Sequence, residues 1–252
     1  GEGTVSFFTK QFVDVIQWTE TDPGILAFRY PMEGMEIQNG AQLVVRESQQ
    51  ALFFNEGTFA DHFGPGTYTL TTQTLPVLTY LQNWDKAFES PFKSDVYYFN
   101  LREQIDQKWG TSQPLTVRDR EFGPLRIRAF GNYAYRIRDI EVFWLKLCGT
   151  AEKRLSSEIE GQLRASIITA LASGIGNGDI AFVDMARHQE TLAQRMGEAI
   201  APTFANYGLE LTNFALLSLT LPEELEKHLD RATSMRMVGD LGKYTQFQVA
   251  DS

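Results

Sequence analysis

Arginine residues recur at alternate positions within a short stretch of this 252-residue chain. Successive side chains of a β-strand point to opposite faces, so each alternating pair would project from one face of a sheet. Such a face could bind phospholipid headgroups or an acidic partner. Acidic residues are interleaved with the arginines and favour the alternative, a solvated face of ion pairs. The possible basic patch consists of Arg126, Arg128, Arg136 and Arg138; Arg118 and Arg120 form a third pair, and the interleaved acids are Asp119, Glu121, Asp139 and Glu141.

Residues of the types used in catalysis and metal binding are few and scattered. The chain has three histidines, His62, His188 and His228, and one cysteine, Cys148. One cysteine excludes an intrachain disulfide and a cysteine-based zinc site. Asp184 has the helical i, i+4 spacing to His188, but no second motif supplies the further ligands that a metal needs. We therefore expect no catalytic residues, no metal, no cofactor and no small-molecule substrate.

A glycine-rich segment, residues 174–179, is similar to a phosphate-binding loop in composition alone. The dinucleotide fingerprint needs glycine at its sixth position, which is Asp179 here, and the segment follows a helical pattern rather than a strand. A helix C-cap followed by an N-cap at Asp179 explains these residues without a ligand.

Composition and charge set limits on the remaining functions. Hydrophobic residues make up 43% of the chain and charged residues 22%, which is the balance of a globular protein with a core. The formal net charge is −9, so an overall basic field is absent and we expect no nucleic-acid partner. No stretch approaches the roughly 20 consecutive apolar residues that a membrane-spanning helix needs.

An amphipathic pattern lies near the beginning of the chain. Apolar residues from Val5 to Trp18 fall on one arc of a helical wheel, with polar residues opposite. A helix of this length either lies in a membrane interface or docks on the protein's own core or a second subunit, and both alternatives remain open. The candidates for membrane contact are Phe7, Phe8, Phe12, Val15, Ile16 and Trp18.

Short apolar runs separated by turn residues predict strands in the first half of the chain. The predicted strands include residues 25–30, 42–46, 50–54 and 95–100, with turns at 55–57 and 63–66. Two further strands, 125–130 and 133–138, are predicted to form a hairpin about Gly131 and Asn132.

Helical periodicity dominates after Asp139, which is a predicted N-cap. Apolar stripes run from Leu155 to Leu171 and from Phe182 to Ile200, and a strand over residues 209–219 follows. Thr220 and Glu223 have the spacing of a capping box that opens a last helix. Strands first and helices later, without βαβ alternation, predict an α+β fold. The apolar stripe of the last helix, which either contacts a second subunit or packs on the chain's own sheet, consists of Leu225, Leu229, Ala232 and Met235.

Several of these segments, taken in order, resemble the SPFH family (band 7, stomatin/prohibitin/flotillin). Residues 44–54 and 63–70 are similar to its opening, in which a strand carrying Q-x-A is followed by a hairpin and a P-G-x-x-x-L turn. Residues 116–143 look like the strands of its second subdomain and its first helix, and residues 208–222 like its closing strand. The resemblance covers roughly residues 22–230 and is greatest to the bacterial virion-core-protein-like branch.

The resemblance implies antiparallel SPFH-type β-sheet subdomains, followed by helices packed on one side and a C-terminal helix. It also implies a non-enzymatic scaffold that forms homo-oligomers, organises lipids or partner proteins at the cytoplasmic face of the cell membrane, and contacts that membrane through its N-terminal segment. A soluble adaptor recruited by a membrane protein, without lipid contact, is the alternative. The expected divisions are an N-terminal amphipathic segment (1–21), an SPFH domain (22–221, with subdomains of about 22–115 and 116–221) and a C-terminal helix and tail (222–252).

Overall fold

The computed structural model describes residues 15–31, 36–37, 40–55, 58–70, 92–149, 151–175, 182–227 and 230. These residues form an α+β fold with largely antiparallel sheets, which confirms the predicted fold class. The strands are β1 (Val15–Ile16), β2 (Ile25–Arg29), β3 (Glu36–Ile37), β4 (Gln42–Val45), β5 (Gln49–Asn55), β6 (Thr58–Phe63), β7 (Gly66–Thr69), β8 (Phe92–Asn100), β9 (Gln104–Gly110), β10 (Leu115–Asp119), β11 (Gly123–Ile137), β12 (Lys153–Leu155) and β13 (Leu209–Thr220). The helices are α1 (Ile140–Phe143), which continues as a π-helical turn (Trp144–Cys148), α2 (Ser156–Gly174), α3 (Phe182–Ala186) and α4 (Gln189–Asn206); residues 223–227 are also helical.

Two compact units share these elements. The first contains the described residues up to Gln104 together with Arg136–Glu160 and Asn206–Glu210. The second contains Ile105–Tyr135, Gly161–Ala205 and the described residues from Leu211 onward. Strands β11 and β13 and helix α2 each run from one unit into the other, so the units are discontinuous in sequence. The single division near residue 115 and the other expected domain bounds stay a prediction.

The first unit is built on two sheets. A six-stranded sheet has the order β12-β2-β8-β5-β6, with β3 also paired to β8, and its pairs are antiparallel. The second sheet has the order β1-β4-β7, in which β1 is parallel to β4. Strands β5 and β6, which flank the predicted turn at residues 55–57, pair antiparallel with Asn55 opposite Thr58, and residues 56–57 themselves lie outside the described residues. Inward side chains such as Leu43, Phe53 and Tyr98 form one buried cluster.

The second unit is built on a long β-hairpin. Strand β10 pairs with β11 in an antiparallel register that sets Leu115 opposite Ile127 and Asp119 opposite Gly123. Gly123 has φ +70°, a left-handed conformation that glycine adopts without steric cost. The Asp119 carboxylate accepts hydrogen bonds from the backbone N–H groups of Glu121 and Phe122 and thereby closes the turn. Strand β9 also pairs with β11, and β11 lies between β10 and β13.

The predicted hairpin about Gly131 is wrong, because Gly123–Ile137 is one continuous strand. The glycine permits a close approach instead of a turn. A Cβ at this position would overlap the carbonyl oxygen of Ala215 and would lie 2.9 Å from Trp109 Nε1. The indole N–H of Trp109 donates a hydrogen bond of 3.2 Å to that same carbonyl. Gly131 therefore leaves room for a side-chain contact that links β9 to β13 across β11.

The helices follow the predicted apolar stripes. In α2 the stripe residues from Ile159 to Leu171 are buried, whereas Leu155 precedes the helix and lies in β12. The second stripe is divided between α3 and α4, where Phe182 and Leu192 are both buried. Asp139 is confirmed as an N-cap, since its side chain accepts a hydrogen bond of 3.1 Å from the backbone N–H of Val142. Helix α2 ends at Gly174, and residues 176–181 lie outside the described residues.

We expect Gly131→Ala to lower the free energy of unfolding by about 1–3 kcal/mol, because the added methyl group must displace either the β13 backbone or the Trp109 ring. Urea titration of the parent and the variant measures this difference. Gly64→Ala is the matched control, since nothing lies within 4 Å of a Cβ at that position. Its change should stay within about 0.5 kcal/mol. Equal stability of the two variants would contradict the close-approach role of Gly131.

Candidate functional site

The end of the predicted N-terminal helix is a strand. Val15 and Ile16 form β1, in which Ile16 pairs with Leu43 of β4. Ile16 is 4% exposed and Trp18 is also buried, where its ring stacks on Phe28 at 5.4 Å between centroids. The assignment of Ile16 and Trp18 to membrane contact is therefore corrected, because both side chains belong to the core of the first unit.

Of the predicted membrane-contact residues, Val15 remains exposed, at 44%. Phe7, Phe8 and Phe12 lie outside the described residues. The apolar face predicted from the helical wheel is thus divided at Val15, after which the chain turns its apolar side chains into the protein. Any contact with lipid by this segment has to be made by residues that precede Ile16.

Two buried polar side chains, Gln49 and Tyr98, hold the chain just after Val15, and we name this pair the N-terminal clamp. The Gln49 amide donates hydrogen bonds of 2.9 Å to the carbonyl oxygen of Trp18 and to a carboxylate oxygen of Glu20. The Tyr98 hydroxyl lies 2.9 Å from the carbonyl oxygen of Ile16. Burial raises the pKa of Tyr98 well above its ordinary value of 10.0, so its hydroxyl stays protonated and remains a donor.

The predicted basic patch is exposed as expected from strand alternation. Arg126, Arg128, Arg136 and Arg138 are all exposed, while Ile127 and Ile137 are buried. Arg136 forms an ion pair of 3.0 Å with Glu210, a partner that the local sequence did not indicate. Within the described part of the chain, the side chains of the other three form neither an ion pair nor a hydrogen bond.

The interleaved acids do not neutralise these arginines. Asp119 is 5% exposed, and besides its own turn it accepts a hydrogen bond of 3.0 Å from the backbone N–H of Val183. Asp139 is the N-cap of α1, and Glu141 lies 3.8 Å from His62. The ion-pair interpretation is therefore wrong for Asp119, Asp139 and Glu141, because their carboxylates contact a turn, a helix N-terminus and a histidine. The fourth interleaved acid, Glu121, is exposed in the β10–β11 turn and forms no ion pair with the arginines of the patch.

The last helix is present, but it begins at Glu223, later than a cap at Thr220 predicts, because Thr220 is still part of β13. Residues 223–227 are helical, and the N–H of Leu225 donates to the carbonyl oxygen of Pro222 at 3.0 Å. Leu225 is buried, so it is not available for a subunit contact and is removed from the predicted oligomer interface. Leu229, Ala232 and Met235 lie outside the described residues.

An apolar cleft in the first unit was not predicted. It has a volume of about 180 Å³ and is lined by Leu52, Phe54, Glu141, Trp144 and Leu145. The rings of Phe54 and Trp144 are 4.5 Å apart between centroids, and Leu145 is 70% exposed at the rim. Trp144 and Leu145 begin the π-helical turn. This conformation is rare in proteins, and where it occurs it is often at a functional site. In the sequence, the apolar run of residues 142–145 shortly after the predicted N-cap Asp139 was the signal that could have indicated this cleft.

Glu141, which lines this cleft, lies close to a histidine that is distant in sequence. His62 Nδ1 lies 3.8 Å from Glu141 Oε1, and both side chains are more than half exposed. No residue close to His62 in sequence indicated this contact. Because Glu141 is exposed and the apolar cleft is open to solvent, this site is better suited to binding an apolar side chain with an adjacent cation than to catalysis, which would require that water be excluded.

Asp184 and His188, which have helical i, i+4 spacing in the sequence, do not form a pair on one helix. Helix α3 ends at Ala186, so Asp184 and His188 are not on one helix, and Asp184 instead lies 3.9 Å from Arg187. No cluster of three or more potential metal ligands is found among the described residues.

The comparison with protein families agrees with this architecture. The model of the SPFH domain-Band 7 family matches residues 27–237, which is most of the chain. The chain belongs to the SPFH/Band 7 family. This confirms the resemblance seen in the ordered motifs. SPFH proteins are generally membrane-associated, non-enzymatic scaffolds, and they commonly form oligomers.

A relative of this SPFH chain is the uncharacterized protein YdjI of Bacillus subtilis (strain 168). The two are 24% identical over 252 residues, an alignment that spans 98% of this chain and 76% of YdjI. In the described part of the SPFH chain, no helix is both long and apolar enough to cross a bilayer.

Cys148 is buried at the end of the π-helical turn. Burial raises the pKa of its thiol from 9.0 to about 12, although the nearby Arg154 acts in the opposite direction. Thiolate is the nucleophilic form of cysteine, so this side chain is a poor nucleophile at neutral pH.

We expect Cys148 of the folded protein to react with iodoacetamide at pH 8 on the order of 100-fold more slowly than in denaturant, because both the thiolate fraction and access are small. Labelling followed by mass spectrometry measures the two rates. A Cys148→Ala/Ser157→Cys variant, with its thiol at an exposed position of α2, should react at the ordinary rate in the folded state. Fast stoichiometric labelling of the native parent would contradict the burial of the thiol.

Proposed function

We propose that this SPFH-family protein is a non-enzymatic peripheral scaffold. It forms homo-oligomers and organises lipids or partner proteins at the cytoplasmic face of the cell membrane. Its contact with the membrane is made by Phe7, Phe8 and Phe12, with Val15 next to them. The observation that carries the proposal is the N-terminal clamp, which holds the chain directly after these residues.

The clamp gives the apolar segment a fixed attachment. Because Gln49 and Tyr98 hold the backbone at Ile16 and Trp18, a force on the preceding residues is transmitted to the core of the first unit. Burial of a phenylalanine side chain contributes about 1.5–3 kcal/mol, so three of them supply roughly 4–9 kcal/mol. That range corresponds to reversible binding, with dissociation constants from roughly millimolar to below micromolar. Lys10 is the single cation between residues 5 and 18, so this contact depends on apolar burial rather than on lipid charge.

The soluble adaptor is the second candidate, and the cleft at Trp144 favours it. The exposed Leu145 and the aromatic floor offer a site for an apolar side chain, and Glu141 offers a partner for an adjacent cation. A membrane protein with such a segment in a cytoplasmic loop would recruit the scaffold without direct lipid contact. Vesicle binding by the purified chain separates the two candidates.

Flotation with phosphatidylcholine vesicles tests the apolar contact. We expect the parent to float and the variant Phe7→Ser/Phe8→Ser/Phe12→Ser to remain in the dense fraction, since it loses the roughly 4–9 kcal/mol of apolar burial. The control Thr4→Ser/Thr9→Ser/Gln11→Ser changes three polar residues of the same segment and should float like the parent. Absence of the parent from the vesicle fraction would overturn direct anchoring and leave the adaptor.

Self-association is tested at the last helix. We expect Leu229→Asp/Met235→Asp to lower the mass measured by multi-angle light scattering, with unchanged circular dichroism, because charge is placed on the apolar stripe of the proposed interface. Lys227→Asp introduces aspartate at an exposed position nearby and should leave the mass unchanged. A double variant with the mass of the parent would remove this helix from the interface.

A further inference from the structure

We propose that the β10–β11 hairpin of the second unit binds anionic lipid headgroups. The binding surface is formed by Arg118, Arg126 and Arg128, with the exposed Phe130 beside them, and we name it the arginine face. The inference rests on the membrane association proposed above and adds the class of lipid that the protein selects. It uses a surface separate from the apolar N-terminal segment.

The register of the hairpin brings the three arginines to one side of the sheet. Thr116 pairs with Arg126 and Arg118 pairs with Pro124, so Arg118 is the diagonal neighbour of Arg126. Exposed and buried residues alternate along β10 and along β11 from Pro124 to Phe130, and all three arginines are on the exposed side. Diagonal neighbours and residues two apart on one strand are both separated by about 7 Å. Three like charges at this spacing repel one another unless an anion lies between them.

The protein supplies no such anion in its described part. The side chains of Arg118, Arg126 and Arg128 make no ion pair or hydrogen bond there. Asp119 is the nearest acid to Arg118 in sequence, but its side chain is on the buried side and accepts hydrogen bonds from three backbone N–H groups. Glu121 is the nearest acid to Arg126; it is exposed in the turn and forms no ion pair with these arginines. The same sheet therefore turns an acid inward and leaves its arginines outward.

The charge distribution of the whole chain makes this face distinctive. Residues 115–130 contain four arginines and two acids, a net charge of +2, whereas the chain carries −9 and the remaining residues therefore −11. An anionic membrane repels the rest of the protein and attracts this hairpin. Electrostatics alone would thus orient the second unit with the arginine face toward the lipid.

An extended lipid surface fits the arginine face better than a small ligand or an acidic protein segment. Side chains on one side of a strand pair project roughly parallel to one another, so these arginines do not converge on one point as the polar groups of a small-molecule site do. Phe130 is 55% exposed on the same side as Arg126 and Arg128, and Gly110 on the neighbouring strand leaves it room. Cations with an exposed aromatic ring are the composition of surfaces that bind anionic membranes. Members of the family are generally membrane-associated, which favours lipid over an acidic protein.

Binding to vesicles of phosphatidylcholine with about 30% phosphatidylglycerol tests the proposal, since each basic residue near such a surface adds about fivefold to affinity. The experiment uses the Phe7→Ser/Phe8→Ser/Phe12→Ser background, so that the apolar anchor does not contribute. In that background we expect Arg118→Gln/Arg126→Gln/Arg128→Gln to weaken binding on the order of 100-fold. The control Arg102→Gln/Arg164→Gln/Arg195→Gln changes three exposed arginines elsewhere and the same net charge, and should retain most of the affinity. Binding should also weaken as salt shortens the range of the attraction.

Each outcome has one meaning. If the two triple arginine variants lost the same amount of vesicle affinity, the proposed role of the arginine face would be overturned, and the binding would be a nonspecific effect of net charge. No binding of the anchor-deficient background to anionic vesicles would also overturn it, while flotation of the parent with neutral vesicles would still support the apolar anchor. Arginine-dependent binding to polyglutamate, without binding to vesicles, would overturn lipid as the ligand in favour of an acidic protein. Circular dichroism of both variants should match the parent, because all six replaced side chains are exposed.

Discussion

The buried hydrogen bonds of Gln49 are the constraint on which the functional interpretation of this SPFH protein depends. An amide that is removed from water costs free energy unless its donors and its acceptor are satisfied, and Gln49 satisfies them with Trp18, Glu20 and the N–H of Arg46. Burial of Trp18 and the pairing of β1 with β4 follow from that placement. The position of residues 16–20 is therefore defined by contacts with the core of the first unit and not by helical propensity.

In the second unit, one buried carboxylate likewise accepts hydrogen bonds from several parts of the chain. Asp119 closes the β10–β11 turn and also accepts the N–H of Val183 at the beginning of α3, so one carboxylate connects the sheet to the helix behind it. A carboxylate at a helix N-terminus is favoured by the local dipole and hydrogen bonds. Because this acid is used inside, its carboxylate is not available to Arg118, Arg126 and Arg128 on the exposed side of the same hairpin. The structural role of Asp119 and the exposed positive charge of the arginine face are two consequences of one side-chain orientation.

Local signals predicted much of the fold, and long-range contacts account for the errors. Strand alternation, the Asp139 cap and the stripe in α2 depend on residues within one or two turns of each other, and these predictions are confirmed. A glycine at position 131 is compatible with either a turn or a close approach of two backbones, so the local sequence does not distinguish them. The residue whose backbone comes close, Ala215, is 84 positions away. The amphipathic pattern around Ile16 is equally satisfied by lipid or by the protein's own core. The prediction of ion-pair partners was wrong for the same reason: Arg136 pairs with Glu210, which is distant in sequence, and not with a neighbouring acid.

Two weak membrane contacts of different physical origin suit a reversible scaffold better than one strong contact. Apolar insertion by three phenylalanines does not distinguish headgroups, and on its own such an anchor is of the marginal kind that needs a second signal for stable attachment. Arginines on a sheet face distinguish anionic from neutral lipid but lose strength as salt shortens the range of their field. In a chain of net charge −9, the proposed arginine face would also favour one orientation, since an anionic membrane attracts this hairpin of net charge +2 and repels the rest of the protein. Selectivity then resides in the second unit and insertion in the segment held by the first, so mutation could alter either property without disturbing the other.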